Sequence, residues 1–469
     1  MRQLPPGRHF AVTWGIPDQY GGMTTALLQR SRAFVRLGGV PVDILTFDTR
    51  ADYPAKETAL RERGELIDGM RLLNLYQWLR ENPLPGGTLR LDRDTFTPLD
   101  SDLVAASDLV RIRRADDGTV LQVDHLRADG TLVLTDRRDT RVRGTLGGRS
   151  VVLCDERGRP VRSWGRIHHL YAAWLDRLTD KQPSFMIVDS KTIAGFMLTY
   201  RRAHVTRAHV VHNSHLGRGG LRESRREVFE QLDGFEIIVL LTQRQRTDVR
   251  AMAGPVGHLT VIPNAARFDL PVAGERDPRR GVVLASLTAR KRVDHAMQAA
   301  YDAAAVLDVY GNGELRERLE ALAEGLHGVQ LHGHLPDARA QLGSASFVLS
   351  TGSSEGFPLV LVEALAAGCI PIAYDVPYGP SDLLDGVNGI LVPSGNREAL
   401  AEAIRTLMTE PEEQLEERRR AARRTAERYS DEAVTEAWAR ELHTAARRRQ
   451  RVSVVQRVRA GARAVLRAS

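Results

Sequence analysis

Two carboxylates, Glu355 and Glu363, lie eight positions apart in the run from Ser353 to Gly368, across an expected junction of loop and helix. Pro358 suits a first helical position, which needs no N–H, and Gly368 suits the far end as a stop, so the spacing predicts a ten-residue helix. The N–H groups of Leu359 and Val360 then point out of its N-terminus, with the positive end of the helix dipole, at whatever anion sits beside Glu355, Gly356 and Phe357. A diphosphate fits such a place. Glu363 falls one turn beyond Leu359 on the same face and, as an acceptor-only carboxylate, can take a pair of sugar hydroxyls. A plainer account makes Glu363 a buried, paired core residue and Glu355 an acid favoured by the dipole. The flanks favour the first account: Phe347 to Ser350 and Ile370 to Tyr374 read as short buried strands, giving a β-α-β unit. Ligands of such sheets sit beyond the carboxyl ends of the strands, where Ser353 to Gly356 lie.

Other residues could join them. Gly21-Gly22 stands between an expected strand and an expected helix, where backbone without Cβ can approach a phosphate or sugar; alone, the pair fits a plain tight turn better. His212 ends an apolar strand and His215 follows three residues later, a placement that hydrogen bonding at a strand edge would also explain. Cys154 and Cys369 sit in apolar runs and are expected to be inert core residues, so neither a disulfide framework nor a metal-ligand cluster is expected.

The elements that must position these residues alternate between strand and helix. His9 to Trp14 reads as a strand, Met23 to Leu37 as a helix with Leu27, Leu28, Phe34 and Leu37 at helical spacing, and Val42 to Phe47 as a second strand. This is the start of a parallel α/β domain. From 65 to 164 the rhythm changes to period-2 strands at Leu109 to Arg113, Val120 to Leu126, Thr131 to Leu134 and Val151 to Cys154. Asp116-Asp117-Gly118 and Ala128-Asp129-Gly130 are turn signals, and together they predict an antiparallel β insertion serving acceptor engagement or oligomerisation. The α/β rhythm resumes with helix Ile167 to Leu178 and strands Phe185 to Val188 and Ala208 to His212. A hinge is expected from Phe268 to Pro278, around Pro271, Gly274 and Pro278. A second α/β domain follows, with strands Gly281 to Leu284, Val306 to Tyr310, Val329 to His332 and Phe347 to Leu349, and two helical stretches after Pro393. The expected division is 1–64 and 165–270 for the first domain, 65–164 for the insertion, 271–425 for the second domain, 426–446 for a final helix and 447–469 for a basic tail.

With 42% hydrophobic and 27% charged residues the composition is that of a water-soluble globular chain of two or three domains. No run approaches the ~18 apolar residues of a membrane span, and Met1 to Pro6 lacks the apolar core of an export signal, so a cytoplasmic setting is expected. The net charge of +7 is concentrated at the end: no acidic residue follows Glu441, whereas eight arginines run from Arg447 to Arg467 among valines and alanines. That pattern fits a basic amphipathic helix lying on anionic lipid headgroups at the inner membrane face, or meeting a polyanion; a solvated tail is the alternative. Nucleic acid is not expected, since no aromatic-rich basic surface accompanies the charge.

The segment Glu355-Gly356-Phe357-Pro358-Leu359 through Glu363-Ala364 resembles the EGF-x-L-x-x-x-E-A signature of retaining glycosyltransferases of the large GT4 family. The resemblance extends in order along most of the chain through Tyr20-Gly21-Gly22-Met23-Thr24, His212-Asn213-Ser214-His215, Ile262-Pro263-Asn264, Lys291, Gly311-Asn312-Gly313 and Tyr378-Gly379-Pro380-Ser381. The GGMT opening, the early β-rich insertion and the YGPS element are most similar to the teichoic-acid and adhesin glycosyltransferases. The resemblance implies the GT-B fold, two Rossmann-like domains facing a cleft, with the final helix returning to the first domain. It implies a metal-independent enzyme without cofactor that moves glucose or N-acetylglucosamine from a UDP-sugar, with retention, to an anionic cell-wall polymer such as teichoic acid.

By the same resemblance Glu355 faces the donor hexose, Glu363 the nucleotide ribose, and Lys291 the diphosphate; Gly21 and Gly22 lie across from that diphosphate, and His212 lies near the transferring sugar. The family arginine five residues before the lysine is replaced by Ser286, leaving Arg290 or Arg292 to take its part. A homo-oligomer is implied as well. Transfer to Ser/Thr of a serine-rich protein, a non-catalytic sugar-nucleotide or polymer-binding subunit, and a sugar-nucleotide epimerase are the alternatives.

Overall fold

The computed structural model describes every residue except 1, 86–87, 90–102, 218, 255, 267, 269–274 and 469, and the backbone alone of 450–468. Two parallel sheets, a six-stranded antiparallel sheet and a short antiparallel pair, Leu216–Gly217 with Gly220–Leu221, are formed by the described residues, and contacts divide the chain into two units. One comprises Met1–Pro5, Tyr20–Gly39 and Ala208–Ser469, the other Pro6–Gln19 and Val40–Arg207.

The second of these units carries strands of the first parallel sheet in the order Ser184–Val188, Arg8–Val12, Val42–Thr46, Met70–Asn74. Phe10 pairs with Met186 on one side and Asp43 on the other, and Ile44 pairs with Leu72. Phe10 to Val12 and Phe185 to Val188 are unbroken buried apolar runs, as strands covered on both faces require. The antiparallel sheet is a six-stranded meander, Val104–Ser107, Val110–Arg114, Val120–Leu126, Leu132–Arg137, Ser150–Cys154 and Pro160–Trp164, each strand pairing with the next. Its expected turns form as their chemistry dictates: the carboxylates of Asp117 and Asp129 accept from the N–H groups of Thr119 and Thr131, each at 2.9 Å.

The insertion starts later than the expected boundary at 65. Met70–Asn74 pairs in parallel with Val42–Thr46, and Asn74 then caps helix Leu75–Glu81 by accepting from the N–H groups of Tyr76 and Gln77. The alternation Met70, Leu72, Asn74, all buried, serves a parallel edge as well as a meander.

In the other unit the second parallel sheet runs in the order Val329–Gly333, Val306–Tyr310, Arg280–Leu284, Phe347–Ser350, Ile370–Asp375, Ile390–Pro393. Val283, Leu307, Val309, Phe347, Ile370 and Ile372 form its core with Met297 and Ile404 of the covering helices; each such side chain contributes about 1.5–3 kcal/mol on burial. The same unit holds strands Ile237–Leu240 and Leu259–Val261, with Ile237–Leu240 paired to the Ala208 to Val211 stretch of strand Val205–Val211.

After Pro393 there are three helices, Arg397–Thr409, Glu412–Ala426 and Asp431–Ala468, where two stretches were expected. The last packs on helix Gly22–Arg36: Trp438 meets Phe34 edge-on at 6.2 Å, the Arg30 guanidinium lies 5.4 Å from the Trp438 ring, and Gln29 Nε2 donates to Asp431 Oδ1 at 3.1 Å. The helical backbone continues through the basic tail, whose side chains from 450 onward lie outside the described residues, as do Pro271 and Gly274 of the expected hinge. Among the described residues no helix is long and apolar enough to cross a membrane. Cys154 and Cys369 are free and buried, and burial pushes both thiols up to about 12, so they stay protonated.

Candidate active site

The helix after strand Phe347–Ser350 spans Leu359–Ala367, nine residues, with Pro358 as its N-cap in an extended conformation (φ −77°, ψ 93°). The expected ten-residue helix with Pro358 as its first residue is thus shortened by one. Leu361 N–H already reaches the Pro358 carbonyl at 3.0 Å, which leaves the N–H groups of Leu359 and Val360 without an acceptor inside the helix. Gly368 ends it at φ 71°, the left-handed cap that glycine adopts without strain. Leu361, Val362, Ala364 and Leu365 are fully buried, so the core fixes the direction in which the N-terminus points.

Glu355 meets Lys291 there. Lys291 Nζ lies 2.6 Å from Glu355 Oε1, and Arg290 Nη1 lies 3.5 Å from Glu355 Oε2. One backbone bond and one side-chain hydroxyl hold the loop of Arg290 and Lys291 against the loop after the strand: Ser353 N–H donates to the Arg290 carbonyl at 2.8 Å, and the Thr351 hydroxyl is shared between the carbonyls of Lys291 and Arg292 at 3.0 and 2.8 Å. Arg290 Nη1 also donates to the Ser354 carbonyl at 2.8 Å, whereas Arg292 reaches Ser394 instead. Of the two arginines near the position of Ser286, Arg290 therefore stands at the carboxylate.

Gly356 touches the other half of the constellation. A Cβ at this position would lie 1.7 Å from the His212 carbonyl oxygen, so only glycine allows the loop to lie against the end of strand Val205–Val211. His212 is buried, directly after that strand, and its neighbour His215 is fully buried. Gly21 is the N-cap of helix Gly22–Arg36, and a Cβ on Gly22 would sit 3.8 Å from Leu359 Cδ1, so the glycine pair approaches the N-terminus of Leu359–Ala367. Phe357 is buried against Tyr429 at a ring separation of 5.6 Å.

Glu363 is 1% exposed, and its Oε2 receives Arg339 Nε at 3.1 Å. Arg339 belongs to the 3-10 turn Ala338–Gly343, and nothing in that short stretch signals its partner in advance. Two further residues were not singled out from the sequence for a site role, Tyr378 and Asp248: Tyr378 Oη donates to Asp248 Oδ2 at 2.7 Å, and burial pushes the phenol up, so it remains a donor.

The arrangement thus offers, close together, a cationic side chain, two helix N–H groups, a glycine turn and a carboxylate already engaged by the cation. Cation and N–H groups can receive an anionic leaving group while the carboxylate receives hydroxyls.

Comparison with known proteins bears on this arrangement. Residues 273–428 match the model of the family described as Glycosyl transferases group 1. The chain is similar to the poly(glycerol-phosphate) alpha-glucosyltransferase of Bacillus subtilis (strain 168), 23% identical over 94% of this chain and 75% of that protein. It is 22% identical to the poly(ribitol-phosphate) alpha-N-acetylglucosaminyltransferase of Staphylococcus aureus (strain COL), over 92% of this chain and 98% of that one. Its fold is shared with a mutant of S. aureus TarM crystallised with fondaparinux, alpha-GlcNAc-glycerol and UDP, at a TM-score of 0.72 and 19% identity over 94% of this chain and 100% of the other. Residues 273–428 thus carry the group 1 glycosyltransferase family's sequence, and the chain has the GT-B fold, two parallel Rossmann-like sheets with an antiparallel insertion sheet.

Proposed function

We propose that this glycosyltransferase moves glucose or N-acetylglucosamine from a UDP-sugar, with retention, to a polyol-phosphate polymer of the cell wall. The observation that carries the reading is the contact between Lys291 and Glu355 at the N-terminus of Leu359–Ala367, 2.6 Å between Nζ and Oε1. The donor's diphosphate takes Lys291 and the N–H groups of Leu359 and Val360, with Gly21 and Gly22 opposite, and Glu355 is released to hydroxyls of the hexose. Glu363, oriented by Arg339, takes the ribose. Charge on the leaving diphosphate is met by Lys291 and the helix end, which supply what a metal ion would otherwise supply, so no metal or cofactor is required.

The bond from the anomeric carbon to the phosphate oxygen breaks, and the bond to the acceptor oxygen forms on the same face. The acceptor's proton passes to the departing diphosphate. His212, beside Gly356, stabilises the charge that develops on the sugar. The choice of acceptor rests on the two relatives, whose names specify poly(glycerol phosphate) and poly(ribitol phosphate), and on a chain whose pI of about 9.6 suits a polyanion. A peripheral contact of the basic tail with anionic lipid, a cytoplasmic setting and a homo-oligomer belong to the same proposal.

The test pairs labelled UDP-glucose and UDP-N-acetylglucosamine with poly(glycerol phosphate), poly(ribitol phosphate) and a serine-rich protein, in chelator. Label in a polyol-phosphate product supports the reading. Label in the protein alone, or none in any acceptor, contradicts it.

A further inference from the structure

We infer that Tyr378 is the positioning residue for Glu355. The inference rests on the proposed role of Glu355 in holding the donor. Glu355 is fastened on two sides. Its side chain meets Lys291, and its backbone is gripped by the segment Pro377-Tyr378: Glu355 N–H donates to the Pro377 carbonyl at 3.0 Å, and Tyr378 N–H donates to the Glu355 carbonyl at 2.7 Å. A reciprocal pair of backbone bonds fixes a residue only as firmly as its partner segment is fixed.

Tyr378 is held at both ends of its ring. The hydroxyl donates to Asp248 in helix Gln243–Ala253, and the ring face lies parallel to His215 at 5.7 Å and 3°. His215 in turn stacks on Phe229 at 5.2 Å and 10°, making a three-ring column of which Tyr378 and His215 are fully buried. The charged groups facing His215 are Asp248 and Arg225; burial, reinforced by Arg225, outweighs Asp248 and pushes the imidazole down to about 4, so the column holds a neutral ring at neutral pH. Close contact of Gly379 with Pro358 adds steric support, since a Cβ at Gly379 would lie 2.4 Å from Pro358 Cδ. The helix of Asp248, the column of His215 and the loop of Glu355 therefore share one side chain. Nothing in this chain of contacts requires Tyr378 to touch substrate.

Three variants of the full chain separate positioning from general support. Asp248→Ala and His215→Leu each remove one hold on the ring without altering either backbone bond, and His215→Phe keeps a flat partner. Hydrogen exchange at the amides of Glu355 and Tyr378 should rise at least about tenfold in the first two and stay as in the unaltered protein in the third, with amides of the remote strand Val306–Tyr310 unchanged. In transfer assays kcat should fall about tenfold to a hundredfold at unchanged acceptor KM, and His215→Phe should restore it. Introduced into Glu355→Gln, the same changes should cost no further activity, because their effect passes through that carboxylate. Unchanged exchange at those two amides, or losses that multiply in the Glu355→Gln background, overturn the inference. Loosened amides in a protein that transfers no sugar even unaltered would instead contradict the proposed function and leave the positioning role supported.

Discussion

Lys291 and Glu355, 64 residues apart in sequence, meet at 2.6 Å because two loops from neighbouring parallel strands are tied together by Ser353 and Thr351. The pair is mostly screened from water, with side-chain exposures of 20% and 9%, so its charge interaction is stronger than that of a surface pair.

Neutralising Lys291 should therefore damage catalysis more than folding. Lys291→Ala is expected to lower kcat about a hundredfold, the scale seen when one stabilising donor is removed from a developing charge. Arg290, within 3.5 Å of the same carboxylate, limits the stability loss to about 1 kcal/mol. Steady-state kinetics and thermal unfolding on the same preparation check both numbers.

Gly356→Ala should fail for steric reasons. Its Cβ would collide with backbone, the His212 carbonyl at 1.7 Å, which cannot swing aside as a side-chain tip can. A loss of about 3 kcal/mol is expected, together with loss of transfer. A variant with unchanged melting temperature would refute the packing described.

Glu363 and Arg339 give a different signature. Arg339→Met leaves a carboxylate at 1% exposure with its cation gone, and because Arg339 is itself about one-third exposed the cost is expected at about 2 kcal/mol, below that of a fully buried pair. Glu363→Gln should weaken binding of UDP about tenfold and leave acceptor KM unchanged. Calorimetric titration with UDP distinguishes the two residues.

Acid should destabilise the fold through two buried histidines. His215 is pushed down to about 4 and His125 to about 3, both chiefly by burial, from an ordinary 6.5. The unfolded chain then binds more protons than the folded one below pH 6.5. Stability is complete above that value and falls as pH drops toward 4. Each histidine accounts for about 2 kcal/mol at pH 5. Denaturant unfolding at pH 7 and pH 5 should show a smaller difference in His125→Phe and His215→Phe than in the unaltered protein.

The sequence carried most strands and the C-terminal end of the central helix well, because buried parallel strands are largely apolar runs and Gly368 takes the left-handed cap there. Val120–Leu126 and Val306–Tyr310 occupy the expected positions. The start of the insertion was harder to read: Met70–Asn74 alternates like a meander strand, and only its pairing with Val42–Thr46 assigns it to the parallel sheet. At the site, the spacing of Glu355 and Glu363 was legible, since both lie in one continuous stretch of loop and helix. Their partners were less so. Arg339 and Asp248 lie on separate elements that short-range patterns do not connect, and the stacking of His215 on Tyr378 joins residues more than 160 positions apart.

The most direct test of the account is the anomeric configuration of the product, read by NMR, when UDP-glucose or UDP-N-acetylglucosamine is supplied with a polyol-phosphate polymer. The account predicts an alpha-linked sugar, formed by the unaltered protein and lost in Glu355→Gln. A beta-linked product, or equal yields from both proteins, would contradict it.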